Sequence, residues 1–253
     1  IENKRIKNLE NNKLKLSNKE SHYLNKVMRL KIGEEIQITN GEGYLWKGIK
    51  NKNNILEIPN INKPIVVQDK NKVFLGIAVA IPKSGFDDIL KMCTEIGIDF
   101  IQPLYSEHQI KKITNQASKM NRWNTVINEA VEQSETLWKP KLLNILDICK
   151  WIISLKPTDI ISISITRDEN SINLNQWLKM QNLPFQESTV IWNVIGPEGG
   201  WSDREICFFQ ENKIQFIKLS ESILRTSTAS ITASSILSQW RSFDIESTHL
   251  ILK

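Results

Sequence analysis

The chain has 253 residues, with 33 Lys and Arg against 28 Asp and Glu and only three cysteines. That length holds one large or two modest domains with a real core, and the apolar run through Phe74 to Ile81 is far too short for a membrane-spanning helix. No basic-then-apolar leader opens the sequence, so a soluble protein of the cytoplasm is expected.

Cys93, Cys149 and Cys207 are widely separated, form no CxxC pair and lie in apolar helical patterns, which predicts buried reduced thiols. His22, His108 and His249 are equally scattered, so no metal cofactor is expected.

The first 70 residues differ from the rest. Residues 1–72 carry 15 Lys and Arg against 8 Asp and Glu, whereas the remainder carries 18 against 20. A localised basic surplus is an electrostatic footprint for nucleic acid, although 26 Lys against 7 Arg also suits a solvated Lys-rich surface. Ser17-x-x-Glu20 is a capping box, after which Leu24, Val27 and Met28 recur at helical spacing and leave Lys26 and Arg29 on other faces. Glu35–Thr39, the turn Asn40-Gly41 and Tyr44–Ile49 then read as strand, turn and strand, a small β-rich module. Polar residues 68–72 form the expected linker.

From Val73 onward strands alternate with helices. Strands are expected at 73–81, 100–104, 142–146, 159–166, 189–195 and 214–219, and helices at 86–96, at 117–135 and near 228–243. Gly97 sits where the first of these helices would stop. Along 117–135, residues Met120, Trp123, Val126, Ile127, Ala130 and Val131 share one side. This alternation predicts an α/β domain with a mostly parallel sheet, in which ligands sit at the carboxyl ends of strands.

Two such strand ends are rich in chemistry. Ile195-Gly196-Pro197-Glu198-Gly199-Gly200-Trp201 places three of the ten glycines within five positions, and Ser202-x-x-Glu205 opens a helix directly behind it. Glycines let a backbone approach a ligand closely, and the free N–H groups of a helix start favour acceptor atoms. A plain βα connection would have the same composition. Its position after the penultimate strand excludes a conventional dinucleotide motif, and neither a P-loop nor a GxSxG elbow occurs.

The second stretch, Leu219 to Ala229, again lies between a strand and a helix. Its hydroxyls suit helix capping, but Arg225 does not, because a cation is disfavoured at a helix N-terminus. Arg225 is better suited to an anion or a carbonyl oxygen.

Together, GPEGGWSDREI (196–206) and LSESILRTSTA (219–229) resemble the paired C-terminal motifs of the RsmE-type 16S ribosomal RNA uridine-N3 methyltransferases of the SPOUT superfamily. His22-Tyr23-Leu24-Asn25-Lys26-Val27-Met28-Arg29-Leu30-Lys31-Ile32-Gly33 is similar to that family's N-terminal motif. Lys91 to Ile98 with Ile101-Gln102-Pro103, and Arg122-Trp123 through Glu132-Gln133-Ser134, resemble its next elements, so order and spacing match along nearly the whole chain.

The resemblance implies a PUA-like RNA-binding domain over 1–70 and a SPOUT methyltransferase domain over 73–253, the latter with a deep trefoil knot and a mostly parallel sheet. It also implies a homodimer. The methyl donor implied is S-adenosyl-L-methionine, held by Ile195, Gly196, Pro197, Glu198, Gly199, Gly200 and Trp201 together with Leu219, Ile223, Leu224, Arg225, Thr226, Thr228 and Ala229. The implied substrate is one uridine of 16S rRNA, free or in the small ribosomal subunit, with Lys26, Arg29 and Lys31 on its phosphates.

Within that reading Arg225 is the catalytic candidate, stabilising charge on a uracil carbonyl as N3 loses its proton, and Glu198 braces the loop. Where relatives usually show Gly, Arg and Glu, this chain has Ser220, Ser222 and Ser227, and an Arg is common near His108 and near Thr136. These neutral positions keep open a noncatalytic, ribosome-associated RNA-binding protein on the same fold, or a SPOUT methyltransferase with another RNA target.

Overall fold

The computed structural model describes residues 1–253 except 2, 10, 110–114, 167, 169–170, 182–187 and 246–253, so His249 lies outside the described residues. Two compact units are present: residues 1–70 with 135–139, and residues 71–134 with 140–253.

The first unit runs α1 (Asn3–Lys7), β1 (Lys13–Lys15), α2 (Asn18–His22), a π-helical turn (Tyr23–Val27), β2 (Glu35–Thr39), β3 (Tyr44–Asn51), β4 (Ile55–Glu57) and β5 (Val66–Val67). Its strands form one antiparallel sheet, in the order β1-β4-β3-β2 with β5 on β3. A separate core of Ile6, Leu14, Leu16, Leu24, Ile38, Trp46, Leu56 and Ile58 fills it. The Ser17–Glu20 capping box forms as the sequence predicts. The helical stripe behind it does not: Leu24 is buried, but Val27 and Met28 are 62% and 46% exposed. The wider π-helical turn at Tyr23–Val27 shifts the phase on which a 3.6-residue stripe depends.

The second unit follows as β6 (Phe74–Ala80), α3 (Phe86–Ile96), β7 (Phe100–Tyr105), α4 (Gln116–Gln133), β8 (Lys141–Leu142), β9 (Leu146–Asp147), α5 (Ile148–Ile153), β10 (Ile160–Ser164), β11 (Ile172–Asn173), α6 (Leu174–Lys179), β12 (Val190–Ile195), α7 (Asp203–Glu211), β13 (Gln215–Lys218) and α8 (Thr226–Trp240). Its sheet is parallel throughout the described pairs, in the order β11-β13-β10-β12-β6-β7-β8, with β9 on β7. β12, late in the chain, thus inserts between β10 and β6.

Both faces of the sheet are covered, which is why β6 is buried at every position. Its odd residues, Leu75, Ile77 and Val79, pack with α3, α4, α6 and α8, and its even residues Phe74 and Ala78 join the core of α5 and α7. Gly76 is a forced glycine, since a Cβ there would lie 2.2 Å from the Trp192 ring.

Two expectations need correction. The strand expected over 142–146 is broken into β8 and β9: opposite the break Pro103 of β7 has no N–H for the ladder, and the buried Gln102 side chain donates to Asn144 O (2.7 Å) instead. Of the three thiols only Cys93 is buried, its pKa pushed up to about 12 by that burial; Cys149 is half-buried and Cys207 exposed on α7.

Candidate cofactor site

The carboxyl ends of the parallel strands converge at the glycine turn. Ile195 ends β12 in the core, 2% exposed. Gly196 is half-buried, Pro197 buried, and Glu198, Gly199 and Gly200 are exposed. The turn closes through Gly200 N donating to Pro197 O (2.9 Å), with Gly200 at φ +72°, a left-handed conformation that disfavours other residues. Trp201 is half-buried, donates its indole N–H to Ser164 O at the end of β10 (3.2 Å) and meets Phe209 edge-on. It also stands where a Cβ on Gly196 would be, at 3.0 Å.

Behind the turn, Ser202 and Glu205 form the predicted capping box of α7. The carboxylate does more than cap. Glu205, 1% exposed, accepts from Ser202 N at one oxygen (2.8 Å) and from Glu107 N, beyond β7, at the other (3.0 Å).

The second loop reaches the first. Thr226, 6% exposed at the start of α8, donates its hydroxyl to Gly196 O (3.2 Å), joining segments 30 residues apart. Leu219 and Leu224 are half-buried and pack on the main core, Ala229 is buried within it, and Ile223, Arg225 and Thr228 are exposed. Arg225 is the N-cap residue of α8 by backbone conformation (φ −65°, ψ 153°) but makes no side-chain cap bond. The hydroxyl beside it is turned to Gly196, so this helix start carries both its free N–H groups and a guanidinium.

Two further strand-end loops close on the turn. After β6, Lys83 N donates to Glu198 Oε1 (3.0 Å), giving Glu198 a bracing contact. After β7, His108 Nδ1 lies 3.3 Å from Gly199 O and 3.1 Å from Gly200 O. A Cβ added at Gly199 would meet His108 Cβ at 3.2 Å.

The candidate residues of the two motifs are therefore brought to one sheet edge, with Lys83, Glu107, His108 and Glu205 beside them. Those four were missed as loop partners. Only the capping box hinted at one of them, because the other bonds span 91 to 115 residues. Lys26, Arg29 and Lys31 belong to the other unit, in and just after its π-helical turn. Among the described residues no cluster of His, Cys, Asp or Glu could hold a metal ion, and no helix is long and apolar enough to cross a membrane.

Comparison with known proteins agrees with this architecture. Residues 69–238 match the family described as RNA methyltransferase domain, and residues 16–49 match the RNA methyltransferase PUA domain. Ribosomal RNA small subunit methyltransferase E of Synechocystis is 33% identical over 86% of this chain and 70% of that protein. The Rickettsia conorii protein of the same name is 30% identical over 88% of each chain. A Legionella pneumophila protein solved with the cofactor SAM bound superposes with a TM-score of 0.77, at 26% identity and over 90% of this chain and 91% of that one. The chain thus belongs to the ribosomal RNA small subunit methyltransferase E family of RNA methyltransferases.

Proposed function

We propose that the protein transfers a methyl group from S-adenosyl-L-methionine to N3 of one uridine in 16S rRNA, as a cytoplasmic homodimer with its first unit on the RNA and its second carrying the reaction. The observation that carries this reading is the Thr226–Gly196 hydrogen bond, which draws the glycine turn and the Arg225 loop into one recess. A trefoil knot threaded through these same loops belongs to the proposal.

The turn suits the cofactor. Gly196 and Gly199 let the backbone pack directly on Trp201 and His108, where a Cβ would come within 3.0 Å and 3.2 Å, and Gly200 faces open space, so its backbone can lie against a flat ring or a ribose. The residues that hold the cofactor are those of the turn, Ile195 to Trp201, and Leu219, Ile223, Leu224, Thr226, Thr228 and Ala229 of the facing loop. When bound, it supplies an electrophilic methyl group, and the chemistry needs no metal.

The chain's own residues do the rest. Glu198, tied to Lys83 N, and Glu205, tied to Ser202 N and Glu107 N, fix the turn before any ligand arrives. Arg225 stands beside the uncapped start of α8, and the two positive potentials add. Charge developing on a uracil carbonyl as N3 is deprotonated is stabilised there. Ser222 and Ser227 leave this charge work to Arg225 within the loop.

Gly199→Val tests the site. The added side chain crowds His108 and reshapes an exposed loop, so the fold survives and cofactor affinity falls by at least about 100-fold. Titration calorimetry with S-adenosyl-L-methionine reads it, and micromolar affinity retained by a folded variant would remove this recess as the cofactor site.

A further inference from the structure

The parallel sheet places a third strand end between the two motif loops. β10 lies between β12 and β13, with Ile163 beside Val194 and Ser164 beside Ile217. Its last residue, Ser164, therefore stands where the glycine turn leaves on one side and the Leu219–Ala229 loop on the other, at the carboxyl ends where ligands of such sheets rest. The Ser164 carbonyl holds the Trp201 indole N–H (3.2 Å), and its hydroxyl has a separate set of partners.

Below that hydroxyl runs a polar chain in an apolar layer. Alternation along β12 puts Asn193 on the face of Ile191 and Ile195, both in the main core, and Asn193 and Ser162 are 0% exposed. Burying an amide and a hydroxyl costs free energy that apolar side chains would not, and hydrogen bonds only offset it. The chain also has one direction. Ser162 Oγ donates to Trp192 O (3.3 Å), so it accepts from Asn193 Nδ2 (2.9 Å). The amide oxygen then faces Ser164, whose Oγ donates to it (2.9 Å). A hydroxyl has one proton and two lone pairs. With the proton committed to Asn193, the half-buried Ser164 hydroxyl offers a ligand only an acceptor.

We infer that Ser164 reads the adenine of the cofactor, its Oγ accepting a hydrogen bond from the exocyclic amino group, and that Asn193 sets this selectivity by holding the hydroxyl proton. The surroundings choose among the cofactor's donors. Leu219 and Leu224 pack against the same core that holds Ile195 and Ala229, an apolar wall suited to a flat ring and poor for the charged ammonium of the methionine part. A ribose hydroxyl can donate or accept, so it needs no partner with a fixed proton. An amino group conjugated to a ring only donates, and it matches a hydroxyl that only accepts. This contact rests on the cofactor reading above and adds a base-selective residue from outside the two motifs.

The test is titration calorimetry on the full chain with S-adenosyl-L-homocysteine and with S-inosyl-L-homocysteine, which carries an oxo group where adenine has its amino group. The parent should prefer the adenosyl ligand by about 100-fold, since the oxo oxygen faces the Ser164 lone pairs. Ser164→Ala should weaken the adenosyl ligand about tenfold and spare the inosyl ligand, while Ser164→Thr keeps the hydroxyl and the preference. Asn193→Val retains Ser164 but frees its proton to turn towards an oxo group, so the preference should again fall about tenfold.

Thermal melting confirms that each variant is folded. Equal weakening of both ligands by Ser164→Ala would overturn the contact, because the hydroxyl would then shape the site without reading the amino group. An unchanged preference in Asn193→Val would overturn the role of the buried amide. A parent that binds neither ligand would sink the cofactor reading itself, whereas adenosyl binding with a preference that no variant moves would sink the Ser164 contact alone.

Discussion

Replacing Arg241 by Met is expected to destabilise the protein by about 3–5 kcal/mol, the cost of leaving a buried charge without its partner. Arg241 and Asp99 are 11% and 14% exposed and form an ion pair at the far end of α8. The guanidinium also donates to Gly97 O (2.9 Å), and the carboxylate accepts from Leu75 N at the start of β6 (2.8 Å). One contact cluster therefore ties the end of α8 to the α3–β7 turn and the central strand. Burial pushes the Asp99 pKa up, against the opposing pull of Arg241 and of the hydrogen bond from Leu75 N.

Urea denaturation checks the loss. Adding Asp99→Asn to the Met variant should recover most of it, because the charge left uncompensated is then gone. The sign of the pH dependence follows from the raised pKa. Asp99 binds its proton more tightly folded than unfolded, so its own contribution to stability falls as pH rises from the ordinary carboxylate range through its raised value. A single Met variant as stable as the parent would show that the pair is dispensable to the fold.

Arg225→Ala is expected to lower kcat by about 100- to 1,000-fold while the affinity for S-adenosyl-L-methionine changes little. The prediction rests on placement: Arg225 is exposed, caps nothing with its side chain and stands where α8 begins. Its backbone still accepts from Ala229 N (2.8 Å), a bond that alanine keeps, so the helix start is preserved. Arg225→Lys should recover only part of the rate, because a compact ammonium lacks the planar fork. Calorimetry and single-turnover methyl transfer separate the two effects. Equal losses in both would confine Arg225 to holding the cofactor.

The features legible in the sequence were local ones. The run at 189–195, the glycines behind it and Ser202-x-x-Glu205 each depend on neighbouring residues, and β12, the turn and the capped α7 follow. Leu24 was legible for the same reason, but Val27 and Met28 were not. A helical stripe presumes 3.6 residues per turn, and the π-helical turn abolishes that phase.

Long-range partners left no trace at all. Nothing near Glu205 announces that its second oxygen holds Glu107 N, and nothing near Thr226 announces Gly196. The strand expected over 142–146 is interrupted from across the sheet, where Pro103 of β7 has no N–H to give the ladder and the Gln102 side chain donates to Asn144 O. The hydroxyls of 219–229 suit helix capping, yet the N-cap residue of α8 is Arg225 and the Thr226 hydroxyl turns to Gly196, which leaves the positive helix start without a side-chain cap.

Cells lacking this protein offer the most direct test of the proposed reaction, by mass mapping of nucleosides along their 16S rRNA. The account predicts that one uridine loses its N3-methyl group there, that the intact chain restores it, and that the Gly199→Val variant does not. Unchanged uridine methylation in the deleted cells would contradict it.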